Sequence, residues 1–139
     1  MHLASLRGRK NVVLFFYPRD GTPACTTQAA EFSDREAAFA KLDTVVFGIS
    51  RDDVIAHAAF RDAQGITVQL LSDADSAVCR KYAVLEKAVI DGREREHMIR
   101  STFIIDKKGI LRHAMRDVNA KHNAEEVLAA VKALNGRAR

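Results

Sequence analysis

The chain has 139 residues, 47% of them apolar and 29% charged, proportions that exclude disordered, collagen-like and low-complexity readings. A chain of this length supports one core that hides roughly two-thirds of its unfolded surface, so a single domain over all 139 residues is expected. The longest apolar run, VVLFFY at 12–17, is far short of the ~18 residues that cross a bilayer, and the polar, basic start does not read as an export signal. No membrane association and a cytoplasmic location are the resulting expectations. Twenty-two basic residues against 18 acidic give a net charge of +4. With no Trp, two Tyr and no clustered basic stripe, a nucleic-acid partner is not expected.

In chain order, residues 11–17 (NVVLFFY) form a continuous apolar, β-branched and aromatic run, the pattern of a strand covered on both faces. From 26 to 42, Ala29, Phe32, Phe39 and Leu42 make a helical apolar stripe between charges, and 44–50 (TVVFGIS) repeats the strand pattern. The unit is βαβ. A second helix is predicted over 53–64, with Gly65 just past its end. A short strand follows at 68–71, then a short helix through Ala77, Val78 and Tyr82 capped by Ser72 or Asp73. Residues 85–99 are charged and irregular and read as loop. Strands at 101–106 and 110–115 are joined by Lys107, Lys108 and Gly109, which suits a hairpin. Asn123 caps a closing helix over 124–134. The order β-α-β-α-β-α-β-β-α predicts an α/β, thioredoxin-like fold, with a mixed central sheet and helices on both faces.

The chemistry concentrates at 17–28, YPRDGTPACTTQ, where the first strand hands over to the first helix. Functional groups in open α/β sheets gather at such carboxyl ends of strands. Thr22 is a good N-cap and Pro23 a good first helical residue, which puts Cys25 in the first turn. Free backbone N–H groups and the helix dipole there favour thiolate over thiol. An ordinary thiol is only a few per cent ionised at neutral pH, and making it mostly thiolate takes about 3 kcal/mol. A helix terminus supplies about 0.3–1 kcal/mol, so a nearby cation is needed. Arg100, immediately before the 101–106 strand, is the candidate.

Pro18, Thr22 and Cys25 reproduce the PxxxTxxC signature of the peroxiredoxins. FYPRDGTPACTTQAAEF resembles the version found in the bacterioferritin comigratory protein (peroxiredoxin Q) branch. LLSDADSAVCRKYAV, RSTFIIDKKG and HNAEEVLAAVKAL are similar to later blocks of that branch, so the resemblance runs from Leu3 to the final helix. It implies a thiol-dependent peroxidase acting on hydrogen peroxide and organic hydroperoxides, with Cys25 as the peroxidatic nucleophile. By the same resemblance Thr22 hydrogen-bonds the thiolate and the peroxide, Pro18 shields the sulfur, and Arg100 steadies the developing charge. No metal, haem or flavin is implied. Thioredoxin, glutaredoxin or a low-molecular-weight thiol would be the reductant, and the protein a monomer or weak homodimer.

Two departures bear on the cycle. The resolving cysteine that many members carry five residues after the first is Ala30 in this chain, and 53–64 contains none. Cys79 remains as a possible resolving partner, though a lone cysteine is more often a small buried hydrophobe. The expected cycle therefore has one cysteine and an external thiol, with an internal Cys25–Cys79 disulfide as second option. Members of the branch usually carry an extra N-terminal hairpin, and this sequence starts almost directly at Leu3, so the hairpin is expected to be missing, whether the start is genuinely short or a truncated reading of a longer gene. Gln28 reads as part of the helix's polar face, Asp20 and Gly21 as loop-shaping residues, and His122 and Asn123 as the start of the last helix. All five histidines read as surface or structural. Two other functions stay open: a thiol–disulfide oxidoreductase, disfavoured because Thr27 and Gln28 stand where a CxxC needs its second thiol, and a non-enzymatic redox-sensing or interaction module.

Overall fold

The computed structural model describes residues 8–137, so the expectation about the segment before Leu3 concerns residues outside the described ones. Strand β1 (Asn11–Phe16) sits at the centre of a five-stranded mixed sheet of order β3-β2-β1-β6-β7. On one side it pairs in parallel with β2 (Thr44–Ser50), which pairs in parallel with β3 (Gln69–Ser72). On the other it runs antiparallel to β6 (Ser101–Ile105), which forms the expected hairpin with β7 (Leu111–Met115). The six residues of β1 are all buried, as the unbroken apolar run requires of a strand covered on both faces.

Successive side chains of a strand point to opposite faces, and β1 divides accordingly. Val13 and Phe15, with Tyr17 just beyond the strand, enter a core completed by Phe32, Phe39, Phe60, Ala124, Val127 and Val131. These come from α1 (Pro23–Asp34), α2 (Glu36–Lys41), α3 (Val54–Gln64) and α5 (Asn123–Arg137). Val12, Leu14 and Phe16 face the second core, built from Phe47, Ile49, Cys79, Val84, Met98 and Phe103. Cys79 comes from α4 (Ala77–Lys81). The Phe15 and Phe32 rings stack at 4.4 Å. Gly48 makes room for this packing: a Cβ there would lie 2.7 Å from the Phe15 ring and 2.8 Å from Leu70 Cδ2. Among the described residues no helix is long and apolar enough to cross a membrane.

Two sequence expectations are corrected. The single helix over 26–42 is two, because Arg35 leaves helical geometry at φ −105°, ψ 4°. Ser33 and Asp34, both poor in helix interiors, precede the break, and the Ser33 hydroxyl oxygen accepts from the Thr67 N–H at 3.0 Å. The bend lets Phe32 and Phe39 both reach the same core, 6.0 Å apart. Residues 85–99 are not loop: β4 (Leu85–Ile90) and β5 (Arg93–Met98) form a separate antiparallel hairpin. Its Asp91-Gly92 turn has positive φ at both positions, 54° and 76°, the geometry of the tight turn whose twist matches paired strands. Smaller adjustments follow: the helix after β2 begins at Val54, with Asp53 as N-cap accepting from the Ala56 N–H. The α4 helix starts after Ser76, whose side chain makes no capping bond, while Asp73 accepts from the N–H groups of Val78 and Cys79.

Candidate active site

Antiparallel pairing of β1 with β6 sets Phe16 opposite Ser101. The start of β6, and Arg100 just before it, therefore lies at the same sheet end where β1 delivers the chain to α1. Thr22 is the N-cap of α1 in extended conformation, with Pro23 at the first position. The first bond within the helix is Thr26 N–H to the Thr22 carbonyl, 2.9 Å. The N–H groups of Ala24 and Cys25 thus have no carbonyl one turn earlier, and their partial positive charge lies where Cys25 sits.

The Arg100 guanidinium closes the site. Its Nη2 lies 3.3 Å from Cys25 Sγ and its Nη1 2.6 Å from Gln28 Oε1. The guanidinium sets a positive charge against the sulfur, as do the free N–H groups of the helix terminus. Cys25 is 1% exposed, whereas Gly21, Pro23 and Ala24 around it are exposed. The sulfur therefore lies just under the surface, beneath exposed residues of the loop and the first helical turn. Pro18 and Arg100 share the wall of a cleft of about 430 Å³, with Met98, Ile99, Arg116 and Val118. The Thr22 hydroxyl donates to the Arg19 carbonyl at 3.1 Å instead of capping the helix, so its hydrogen is engaged within the loop.

Cys79 is elsewhere. It is fully buried in the second core and its thiol is free, as is that of Cys25. Burial and the neighbouring Asp73 carboxylate push the Cys79 thiol up to about 12. Among the described residues, no group of three or more His, Cys, Asp or Glu is placed to hold a metal ion.

Sequence reasoning missed Gln28. It is not on a polar face but wholly buried, one turn beyond Cys25 on the stripe of Cys25, Ala29 and Phe32. That three- and four-residue spacing was the available signal, because a polar residue on an apolar stripe has to find a buried partner. Asn123 is also buried and bonds Gln28 and Thr102. His57 is structural, held between Asp20 and the Leu71 carbonyl.

The sequence profile of the AhpC/TSA family matches residues 1–114. The chain belongs to this family of peroxiredoxins. Among its relatives, peroxiredoxin Bcp of Bacillus subtilis is 37% identical over 123 residues, covering 88% of this chain and 78% of the relative. Peroxiredoxin Bcp of Xanthomonas campestris pv. campestris is 38% identical over 122 residues, covering 88% and 76%. A solved structure of the Xanthomonas campestris bacterioferritin comigratory protein, described for its alkyl peroxide reduction activity, superposes with a TM-score of 0.92 at 35% identity. It covers 97% of this peroxiredoxin chain and 85% of the other. The mixed sheet with flanking helices is thus the thioredoxin-like peroxiredoxin fold.

Proposed function

We propose that this chain is a thiol-dependent peroxidase in which Cys25 attacks hydrogen peroxide and small organic hydroperoxides. The observation that carries the reading is the Arg100 guanidinium at 3.3 Å from the Cys25 sulfur, at a helix start that adds positive potential of its own. The thiolate sulfur attacks one peroxide oxygen and forms an S–O bond to it as the O–O bond breaks. The other oxygen leaves with the O–O electron pair and takes up the proton that the thiol released, as water or alcohol. Cys25, oxidised by two electrons, becomes a sulfenic acid. Arg100 stays in place throughout, so it stabilises both the attacking thiolate and the charge on the departing oxygen without reorganising. Pro18, beside Arg100 on the cleft wall, limits water at the sulfur, and Thr22 offers its oxygen lone pairs at the rim. An external thiol, whether thioredoxin, glutaredoxin or a small thiol, returns Cys25 to the reduced state. Ala30 in place of a second helix cysteine, and Cys79 in the opposite core, support this one-cysteine cycle.

Peroxide consumption with dithiothreitol as reductant tests the reading. Wild type should consume peroxide and Cys25→Ser should not. Arg100→Met should slow sulfenate formation by roughly a hundredfold, the scale of losing one preorganised charge-stabilising donor. Consumption that survives Cys25→Ser overturns the assignment, and insulin reduction without peroxide consumption would assign a thiol–disulfide oxidoreductase instead.

A further inference from the structure

Behind Arg100 lies a line of buried amides whose polarity is fixed from one end. Arginine only donates, so the Gln28 atom 2.6 Å from Nη1 is the carbonyl oxygen Oε1. Gln28 Nε2 is thereby turned toward α5, where it donates to Asn123 Oδ1 at 3.0 Å. The same oxygen accepts from Thr102 Oγ1 at 2.8 Å. Two donors converge on Oδ1, so turning the Asn123 amide over would set its N–H groups against that of Gln28. Asn123 Nδ2 is consequently left without a partner, although Gln28, Thr102 and Asn123 are all fully buried. An orphaned buried donor is costly, and native structures keep few. An apolar side chain would avoid that cost, which directs attention to what the carbonyl end of Asn123 does.

The amide is mounted rigidly. Asn123 opens α5, the N–H of the preceding His122 donates to Glu31 Oε1 of α1 at 3.0 Å, and Ala124, Val127 and Val131 are fully buried. From this we infer that Asn123 is a positioning residue for the peroxidase reaction: it holds the Gln28 amide in the orientation that presents Oε1 to Arg100, and so fixes the guanidinium on the Cys25 sulfur. The inference rests on the proposed roles of Cys25 and Arg100. Gln28, Thr102 and Asn123 are uncharged, so the effect passes through geometry, and Arg100 is the charged group that meets the sulfur.

The test is the pH dependence of Cys25 alkylation, read peptide by peptide, together with peroxide turnover. Asn123→Leu frees Gln28 to turn its NH₂ toward Arg100. It should displace the alkylation profile to higher pH and slow alkylation on its acidic limb by roughly threefold to tenfold, a shift of up to about one pH unit. In a Gln28→Glu background the same substitution should have almost no effect on the profile, because both oxygens of a carboxylate accept and no partner is needed to orient it. A merely structural role would lower thermal stability equally in both backgrounds and leave the profile in place, which overturns the inference. Asn123→Ser, smaller and still polar, serves if the leucine variant does not fold, and failure of both to fold would overturn it too. Arg100→Met run in parallel separates the two readings. If wild type and Arg100→Met differ while Asn123→Leu follows wild type, Asn123 alone is removed. If wild type alkylates like a free thiol, the underlying roles fall and this one with them.

Discussion

The two cysteines have opposite neighbours, and the neighbours decide their chemistry. Cys25 meets a guanidinium. Cys79 meets the Asp73 carboxylate, which accepts from the Cys79 N–H at 2.8 Å and the Val78 N–H at 3.1 Å. Burial works to raise the Asp73 carboxyl, but the Cys79 thiol, these two N–H groups and the charge of Arg80 together hold it below the ordinary carboxylate value. The thiol moves the other way, up to about 12, chiefly through burial and then through the bond and charge of Asp73. Stability gained from a raised thiol is present in full below the unfolded value of about 8.5 and is lost as pH rises toward about 12. Urea midpoints of wild type should therefore fall more steeply across that alkaline window than those of Cys79→Ala. Parallel curves would show that Cys79 ionises equally in folded and unfolded chains. The location of the proposed nucleophile was legible in sequence, because cap, proline and strand end are local signals. The pairing of Asp73 with Cys79 was not, since it requires knowing that 73 and 79 face the same core.

At the scale of elements, the loop that carries Pro18 and Thr22 is tied to α3. Asp20 Oδ2 lies 2.6 Å from His57 Nδ1, and His57 Nε2 faces the Leu71 carbonyl at 3.1 Å. The Tyr17 hydroxyl donates to Asp20 Oδ1 at 2.6 Å, and the Asp20 N–H donates to Asp52 Oδ2 at 2.7 Å. Burial, reinforced by Asp20, holds the Tyr17 hydroxyl well above its ordinary value, so it remains a donor to the loop. Both partners of the His57–Asp20 pair are nearly enclosed, with side chains 4% and 7% exposed. Removing the ring leaves a buried carboxylate oxygen and a carbonyl unsatisfied, at a cost of about 1–3 kcal/mol or more where a charged group is involved. His57→Leu should lower the unfolding free energy by about 3 kcal/mol and slow the peroxide reaction, because the 18–22 loop loses its tether. A variant as stable and as fast as wild type would show that other contacts hold the loop. The same scale explains the hairpin that the sequence did not reveal. Its stretch LEKAVIDGREREHM lacks apolar alternation because it is a separate two-stranded unit in which, among the residues whose burial is described, only Met98 is deeply buried. The legible feature was the Asp91-Gly92 pair, a strong short-range hairpin signal.

At the scale of the whole molecule, the central sheet separates the two sulfurs. Cys25 belongs to the core on the Val13 and Phe15 side of β1, Cys79 to the core on the Val12, Leu14 and Phe16 side. A disulfide needs Cα atoms within about 7 Å and sulfurs about 2 Å apart, so two residues in opposite cores cannot meet while β1 stays paired with β2 and β6. Unwinding α4 would not by itself carry Cys79 across the sheet. The strand alternation behind this separation was readable in NVVLFFY, yet the side on which each cysteine packs was not, because it depends on where α1 and α4 dock. Intact mass after one equivalent of peroxide should therefore show a monomer carrying one added oxygen on Cys25, trapped by dimedone, and Cys79→Ser should give the same product at the same rate. A monomer lighter by two hydrogens, abolished by Cys79→Ser, would mean that the sheet opens during the cycle. The external thiol would then reduce a disulfide and not a sulfenic acid.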